Sequence, residues 1–198
     1  MRIAGIVNDS VVDGSGVRDV VFVQGCKHNC PGCHNPDTHD MNGGREMSIS
    51  DILAQCHSDN LTVSGGDPFY QELDLISLVS DFKEQRLHAN VWVYTGFLWE
   101  EIKDSLAMPY IDVLVDGMYD KSKPTAKRFV GSDNQRIIDP RRSWETGKLV
   151  LWNSPEVYVE SELLNGVTIT TWVVNALKGD KHYAGRTTAS KEEEASQN

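Results

Sequence analysis

No apolar run in this 198-residue chain approaches the length of a membrane-spanning helix, so a helical membrane protein is not expected. Positive charge is scarce: 19 Lys and Arg stand against 29 Asp and Glu, for a net charge of −10. That balance repels nucleic acid and anionic lipid at long range, and neither is an expected partner. Internal repeats are absent, and Met1-Arg2-Ile3 leads straight into a short apolar strand with no signal-peptide pattern, which reads as cytoplasmic. Cysteine is scarce too, with four residues. Three of them crowd into one run, the placement of metal ligands in a reducing compartment and not of disulfides.

What remains is an ordinary globular composition, 39% hydrophobic and 24% charged, at a length that suits one sizeable core. Apolar runs alternate with amphipathic stretches, the pattern of βα units. Val17 to Gln24 predicts a buried strand ending at Gly25. Ser48 or Ser50 predicts a helix cap, with the helix running to about His57. Leu61 to Ser64 predicts a strand, and Tyr70 to Arg86 a helix with Leu73, Ile76, Val79 and Phe82 on its buried stripe. A strand over Asn90 to Tyr94, a helix over Leu98 to Leu106 and a strand over Ile111 to Val115 follow. Beyond Asp139-Pro140 the pattern turns β-rich, with short strands at Leu149 to Trp152, Val157 to Glu160 and Val167 to Val174. Segment 153–177 reads as an appended β-rich piece, and 178–198, which lacks periodicity, as a frayed or disordered tail. The basic cluster Lys121, Lys123, Lys127, Arg128, Arg136, Arg141 and Arg142 is either a solvated loop or a docking surface for an acidic partner or for phosphate.

The cysteine run is Cys26-x-x-x-Cys30-x-x-Cys33, inside Gly25 to His34. Three thiolates hold three irons of a 4Fe–4S cubane and leave the fourth open to a small chelating molecule. Pro31-Gly32 supplies the turn that brings Cys33 back beside Cys30. The same thiols with His28 or His34 also suit a closed zinc site, and spacing does not separate the two. About thirty residues on, Ser64-Gly65-Gly66-Asp67 follows a buried strand. Its glycines expose backbone groups to a ligand, and the Asp67 carboxylate suits an ammonium group. The strands finish at Gly25, Ser64, Thr95 and Asp116, so these residues are expected on one rim of a parallel sheet. Cys56 does not fit the cluster spacing and reads as a buried apolar residue.

The cysteine run with Ser64-Gly-Gly-Asp67 resembles the radical S-adenosylmethionine superfamily. The blocks Val12-Asp-Gly-Ser-Gly-Val-Arg18, Trp92-Val-Tyr-Thr-Gly96, Asp112-Val-Leu-Val-Asp-Gly117 and Asn134-Gln-Arg136 occur in the order seen in anaerobic ribonucleotide reductase activating proteins. This resemblance covers about residues 1 to 152. It implies a short, open, partial (β/α) barrel of radical SAM type with a mostly parallel sheet, forming one domain over 1–152. It implies an activating oxidoreductase that cleaves S-adenosylmethionine at the cluster and places a glycyl radical on the reductase large subunit. Cys26, Cys30 and Cys33 would be the cluster ligands and catalytic centre. Gly32 and His34 would flank the adenine end, and Ser64, Gly65, Gly66 and Asp67 the methionine end. Thr95 and Asp116 would meet the ribose or the methionine carboxylate. With no flavin or second-cluster motif, a flavodoxin or ferredoxin-type electron donor is implied. Val130 and Asp133 depart from the pattern of the relatives.

Overall fold

In the computed structural model, runs of β-branched residues form strands that glycine or a polar residue ends. The structure describes residues 1–153, 156–164, 167–175 and 188–191. The chain divides into two compact units, Met1–Trp152 and Asn153–Asn198.

The first unit is built on β1 (Arg2–Ser10), β2 (Arg18–Val23), β3 (Arg45–Glu46), β4 (Asn60–Gly65), β5 (Asn90–Tyr94), β6 (Val113–Asp116) and β7 (Arg136–Ile138). They form one seven-stranded sheet of order β3-β1-β2-β4-β5-β6-β7. β2, β4, β5 and β6 pair in parallel. β1 pairs antiparallel with both β2 and β3, and β7 antiparallel with β6. Through those two steps β3 runs with the central four, so the sheet is mostly parallel. It stays open, with β3 and β7 as its edges.

Helices α1 (Ile49–Leu53), α2 (Glu72–Gln85) and α3 (Trp99–Ile102) connect the parallel strands. Alternate strand residues Val21, Val23, Leu61, Val63, Val91, Val93 and Leu114 pack with Ile52, Leu75, Leu78, Val79 and Phe82 in the main core. A second, smaller cluster forms from Trp92, Val113 and Val115, with Tyr94, Phe129, Val130, Ile137 and Trp152 against it.

Several elements differ from expectation for identifiable reasons. α1 stops at Leu53, not His57, because the Asp19 carboxylate accepts from the His57 and Ser58 amides at 2.5 and 2.7 Å and draws the chain off the helical path. Pro68 imposes a 3-10 turn, Pro68–Gln71, so α2 begins at Glu72 and its stripe is Leu75, Leu78, Val79 and Phe82. Leu73, expected inside, is 81% exposed. α3 ends at Ile102, short of Leu106. Leu149 to Trp152 forms no strand, only a single bridge between Leu151 and Ile138. The short helix α4 (Pro140–Thr146) is new: Asp139 caps it by accepting from the Arg142 amide at 2.9 Å, Pro140 opens it, and Gly147 closes it at φ 65°.

The second unit contains β8 (Glu156–Leu164), β9 (Val167–Asn175) and β10 (Thr188–Lys191) in an antiparallel sheet of order β10-β9-β8. Apart from β10, residues 178–198 lie outside the described residues, and with them the expectation of a frayed tail.

Candidate functional site

Parallel pairing brings the carboxyl ends of β2, β4, β5 and β6 to one edge of the sheet, where open α/β sheets bind ligands. A cavity of about 310 Å³ opens there. Cys26, Cys30, Cys33 and His34 line it from the loop after β2. Ser64, Gly65, Gly66 and Asp67 line it from the end of β4, and Thr95 and Gly96 from the end of β5.

The cysteine loop owes its shape to backbone geometry. Gly25 turns the chain out of β2 at φ 100°, and its amide donates to Thr38 O at 2.8 Å. The Cys26 amide donates to His39 O at 3.2 Å, so the returning limb of the loop clamps the outgoing one. Pro31-Gly32 makes the expected turn, closed by the Cys33 amide on Cys30 O at 3.1 Å, with Gly32 at φ 75°. The three thiols are unpaired and partly exposed. Burial pushes the Cys26 thiol up, opposed by the His28 and Asn29 amides that point at its sulfur. Burial also pushes Cys30 up, opposed by the Tyr119 amide. Loading a metal here therefore releases protons.

The donor set is of the kind an iron–sulfur cluster takes: three thiols of one loop line one cavity, and a cubane binds its thiolates on separate irons.

The Gly-Gly pair has a packing reason as well as an exposed backbone. Gly65 sits at φ 102°, and a Cβ there would stand 2.7 Å from Val23 O. A Cβ on Gly66 would collide with the Gly25 carbonyl, the root of the cysteine loop. Strand end and loop thus touch through bare backbone, tied by the Asp67 amide on Gly25 O at 2.9 Å and the Gly66 amide on Val23 O at 2.8 Å.

Asp67 is 1% exposed and its carboxylate is fully engaged. It accepts from Phe69 N at 3.0 Å, Gly96 N at 2.7 Å, Thr95 Oγ1 at 2.9 Å and His28 Nε2 at 2.8 Å. Thr95 thereby serves the cavity wall by orienting Asp67. Two expected site residues stand off the cavity lining. Asp116 is fully buried, accepts from Trp99 N at 2.7 Å and is gripped by Arg136; its neighbour Gly117 takes the place on the wall. Gly32 faces the Lys121 side chain, 3.0 Å from where a Cβ would stand.

Tyr119, Gln135, Tyr94 and His39, which no motif in the sequence marks as site residues, also line the cavity. Tyr119 and Gln135 come from the segment between β6 and β7, whose irregular path has no periodicity to read. Tyr94 had a signal: it is the last residue of a predicted strand and shares a face with Trp92. The basic cluster is partly neutralised. Lys123 pairs with Asp120 at 3.0 Å, Lys127 with Asp133 at 2.7 Å, and Arg136 with Glu100 at 2.8 Å. Cys56 is buried as expected, its thiol pushed up to about 11 by burial.

Residues 12–138 match the 4Fe-4S single cluster domain, so the chain carries the iron–sulfur domain to which the cysteine loop belongs. Relatives from several organisms bear the name anaerobic ribonucleoside-triphosphate reductase-activating protein. That of Enterobacteria phage T4 is 37% identical over 134 residues, covering 64% of this chain and 86% of the relative. Those of Salmonella typhimurium and Escherichia coli are 36% and 31% identical over 145 and 140 residues, each covering 64% of this chain and 91% of the relative. The chain belongs to this family of reductase-activating proteins. None of the helices among the described residues is long and apolar enough to cross a membrane.

Proposed function

We propose that this chain is a cytoplasmic radical SAM activating enzyme that generates a glycyl radical on the large subunit of an anaerobic ribonucleoside-triphosphate reductase. One observation carries the reading: the three cysteines and Ser64-Gly65-Gly66 line a single cavity. When bound and reduced, the cluster would supply one electron to the sulfonium of S-adenosylmethionine, whose 5′ carbon–sulfur bond would break to give methionine and a 5′-deoxyadenosyl radical able to take a hydrogen atom from a glycine Cα. Cys26, Cys30 and Cys33 would each hold one iron, leaving the fourth for the methionine amino and carboxylate groups. The backbone of Ser64, Gly65 and Gly66 borders the methionine end. His34, with the Tyr119 ring 4.6 Å away, offers the adenine an aromatic wall. The Asp67 and Thr95 side chains shape the wall.

On this reading residues 1–152 are a radical SAM domain with a partial barrel open at β7. The electron comes from a separate flavodoxin or ferredoxin-type donor. The test is anaerobic iron–sulfide reconstitution and EPR of the reduced protein, with and without S-adenosylmethionine and the reductase large subunit. The expected result is a cluster signal that shifts with S-adenosylmethionine, followed by a glycine-centred radical on the reductase. A colourless, EPR-silent protein holding zinc would end the reading.

A further inference from the structure

We propose that His28 is a positioning residue, locking the middle of the cysteine loop to the ends of β4 and β5 through Asp67. The inference rests on the proposed use of S-adenosylmethionine and adds what fixes its two attachment points relative to one another. His28 lies between Cys26 and Cys30. Its Nε2 donates to Asp67 Oδ2 at 2.8 Å, and its ring packs edge-on against Phe97 at 4.6 Å and beside Tyr70 at 5.4 Å. Asp67 also accepts from Thr95 Oγ1 and from the Gly96 amide. One buried carboxylate therefore gathers the loop after β2, the end of β4 and the end of β5.

A carboxylate offers about four lone-pair directions, and here they are taken by protein donors. That leaves no direction for a ligand ammonium, which falls instead to the backbone of Ser64 to Gly66. The Asp67 side chain acts through the groups it orients. Gly96 supplies independent support. A Cβ there would stand 2.5 Å from His28 Cδ2 and 2.7 Å from Nε2, so the ring occupies the space that the missing side chain leaves. A molecule chelated at the cluster and held at the end of β4 has a fixed length. Its affinity then depends on how firmly the loop is registered against that strand end.

Three full-length variants test this: His28→Phe keeps the aromatic packing but has no donor, His28→Gln keeps an N–H near the Nε2 position, and Gly96→Ala displaces the ring. The readouts are iron and sulfide content, S-adenosylmethionine affinity from titration of the reduced-cluster EPR shift, and amide exchange over residues 26–33 in the cluster-free protein. His28→Phe and Gly96→Ala should weaken S-adenosylmethionine binding roughly ten-fold at wild-type iron content, with His28→Gln restored to within about two-fold. Amide exchange should accelerate in the same two variants. Wild-type affinity and exchange in His28→Phe, or a His28→Gln variant as weak as His28→Phe, would overturn the proposal. If the wild-type cluster itself shows no response to S-adenosylmethionine, the functional reading falls; the exchange comparison, made without cluster, still decides whether His28 holds the loop.

Discussion

On the helix-covered face of the sheet, Val21, Val23, Leu61, Val63, Val91, Val93 and Leu114 are aliphatic and wholly buried. On the opposite face the same strands present Arg18, Thr62, Ser64 and Tyr94 among the apolar residues Val20, Trp92, Val113 and Val115. The first face gains stability by removing apolar surface from water, at about 25 cal/mol per Å². The second buries polar groups, which costs free energy unless each finds a partner. Arg18, with no exposure, donates to Thr62 Oγ1 at 2.6 Å, Ser15 O at 2.6 Å and Leu61 O at 2.9 Å, and lies over the Trp92 ring at 5.2 Å. Thr62 in turn donates to Asp13 O at 2.7 Å. These bonds anchor the segment between β1 and β2, which brings Val12 and Asp13 to the cavity wall. The duties differ in emphasis: one face is aliphatic and holds the fold together, while the other adds to its smaller apolar cluster the buried polar groups that place loops around a site.

The sharpest way to break that difference is at the cysteines. Cys33→Ser should abolish reductase activation and strip most of the iron, while urea unfolding of the metal-free protein shifts by no more than about 0.5 kcal/mol. A variant that failed to fold would show that the loop carries the fold as well as the site. Phe82→Ala tests the other side. Phe82 is fully buried on α2, and its loss should cost about 3–5 kcal/mol in urea unfolding. At low temperature, below the variant's melting point, the cluster signal and its response to S-adenosylmethionine should survive.

Arg18→Met comes next. Burial pulls the guanidinium down to about 10, so it stays charged at neutral pH and its hydrogen bonds are charge-assisted. Methionine fills much of the volume but orphans the carbonyls of Ser15 and Leu61, at a cost of roughly 2–3 kcal/mol. Limited proteolysis should then cut within residues 11–17 faster than in the wild type. An unchanged cleavage rate would mean that the segment is held by something other than the polar face.

The helix-covered face was largely legible in the sequence, because its signals are local. Strand β5 runs from Asn90 to Tyr94 as the periodicity predicts, and β2 and β4 differ from expectation by one residue at each end at most. The arrival of the cysteine loop and Ser64 to Asp67 at one edge follows from parallel order alone. What resisted reading depends on partners distant in sequence. Asp19 ends α1 from 38 residues away. His28 finds Asp67 across 39 residues. Asp116 looked like a ligand at a strand end because nothing local reveals that Arg136 and the Trp99 amide already claim it. α4 is a different case: Asp139-Pro140 and Gly147 are local cap signals.

The smallest effect belongs to Glu100, on α3 at the helix-covered side of the sheet. The Arg136 guanidinium joins buried Asp116 to Glu100, whose side chain is 57% exposed. The hydrogen bond from Arg136 holds the Glu100 carboxyl below its ordinary value of 4.5. A carboxylate depressed on folding contributes stability above its unfolded pKa and loses it as pH falls through the folded one. Glu100→Gln should therefore cost about 0.5 kcal/mol at pH 7, in the range of exposed pairs, and the difference from wild type should vanish in acid below the carboxylate range. Salt should shrink it as well, since the pair faces solvent. Arg136 keeps its bonds to buried Asp116 in that variant, so the β6–β7 edge should stay in register. A loss comparable to Arg18→Met would mean that the exposed carboxylate, and not the buried one, holds Arg136 in place.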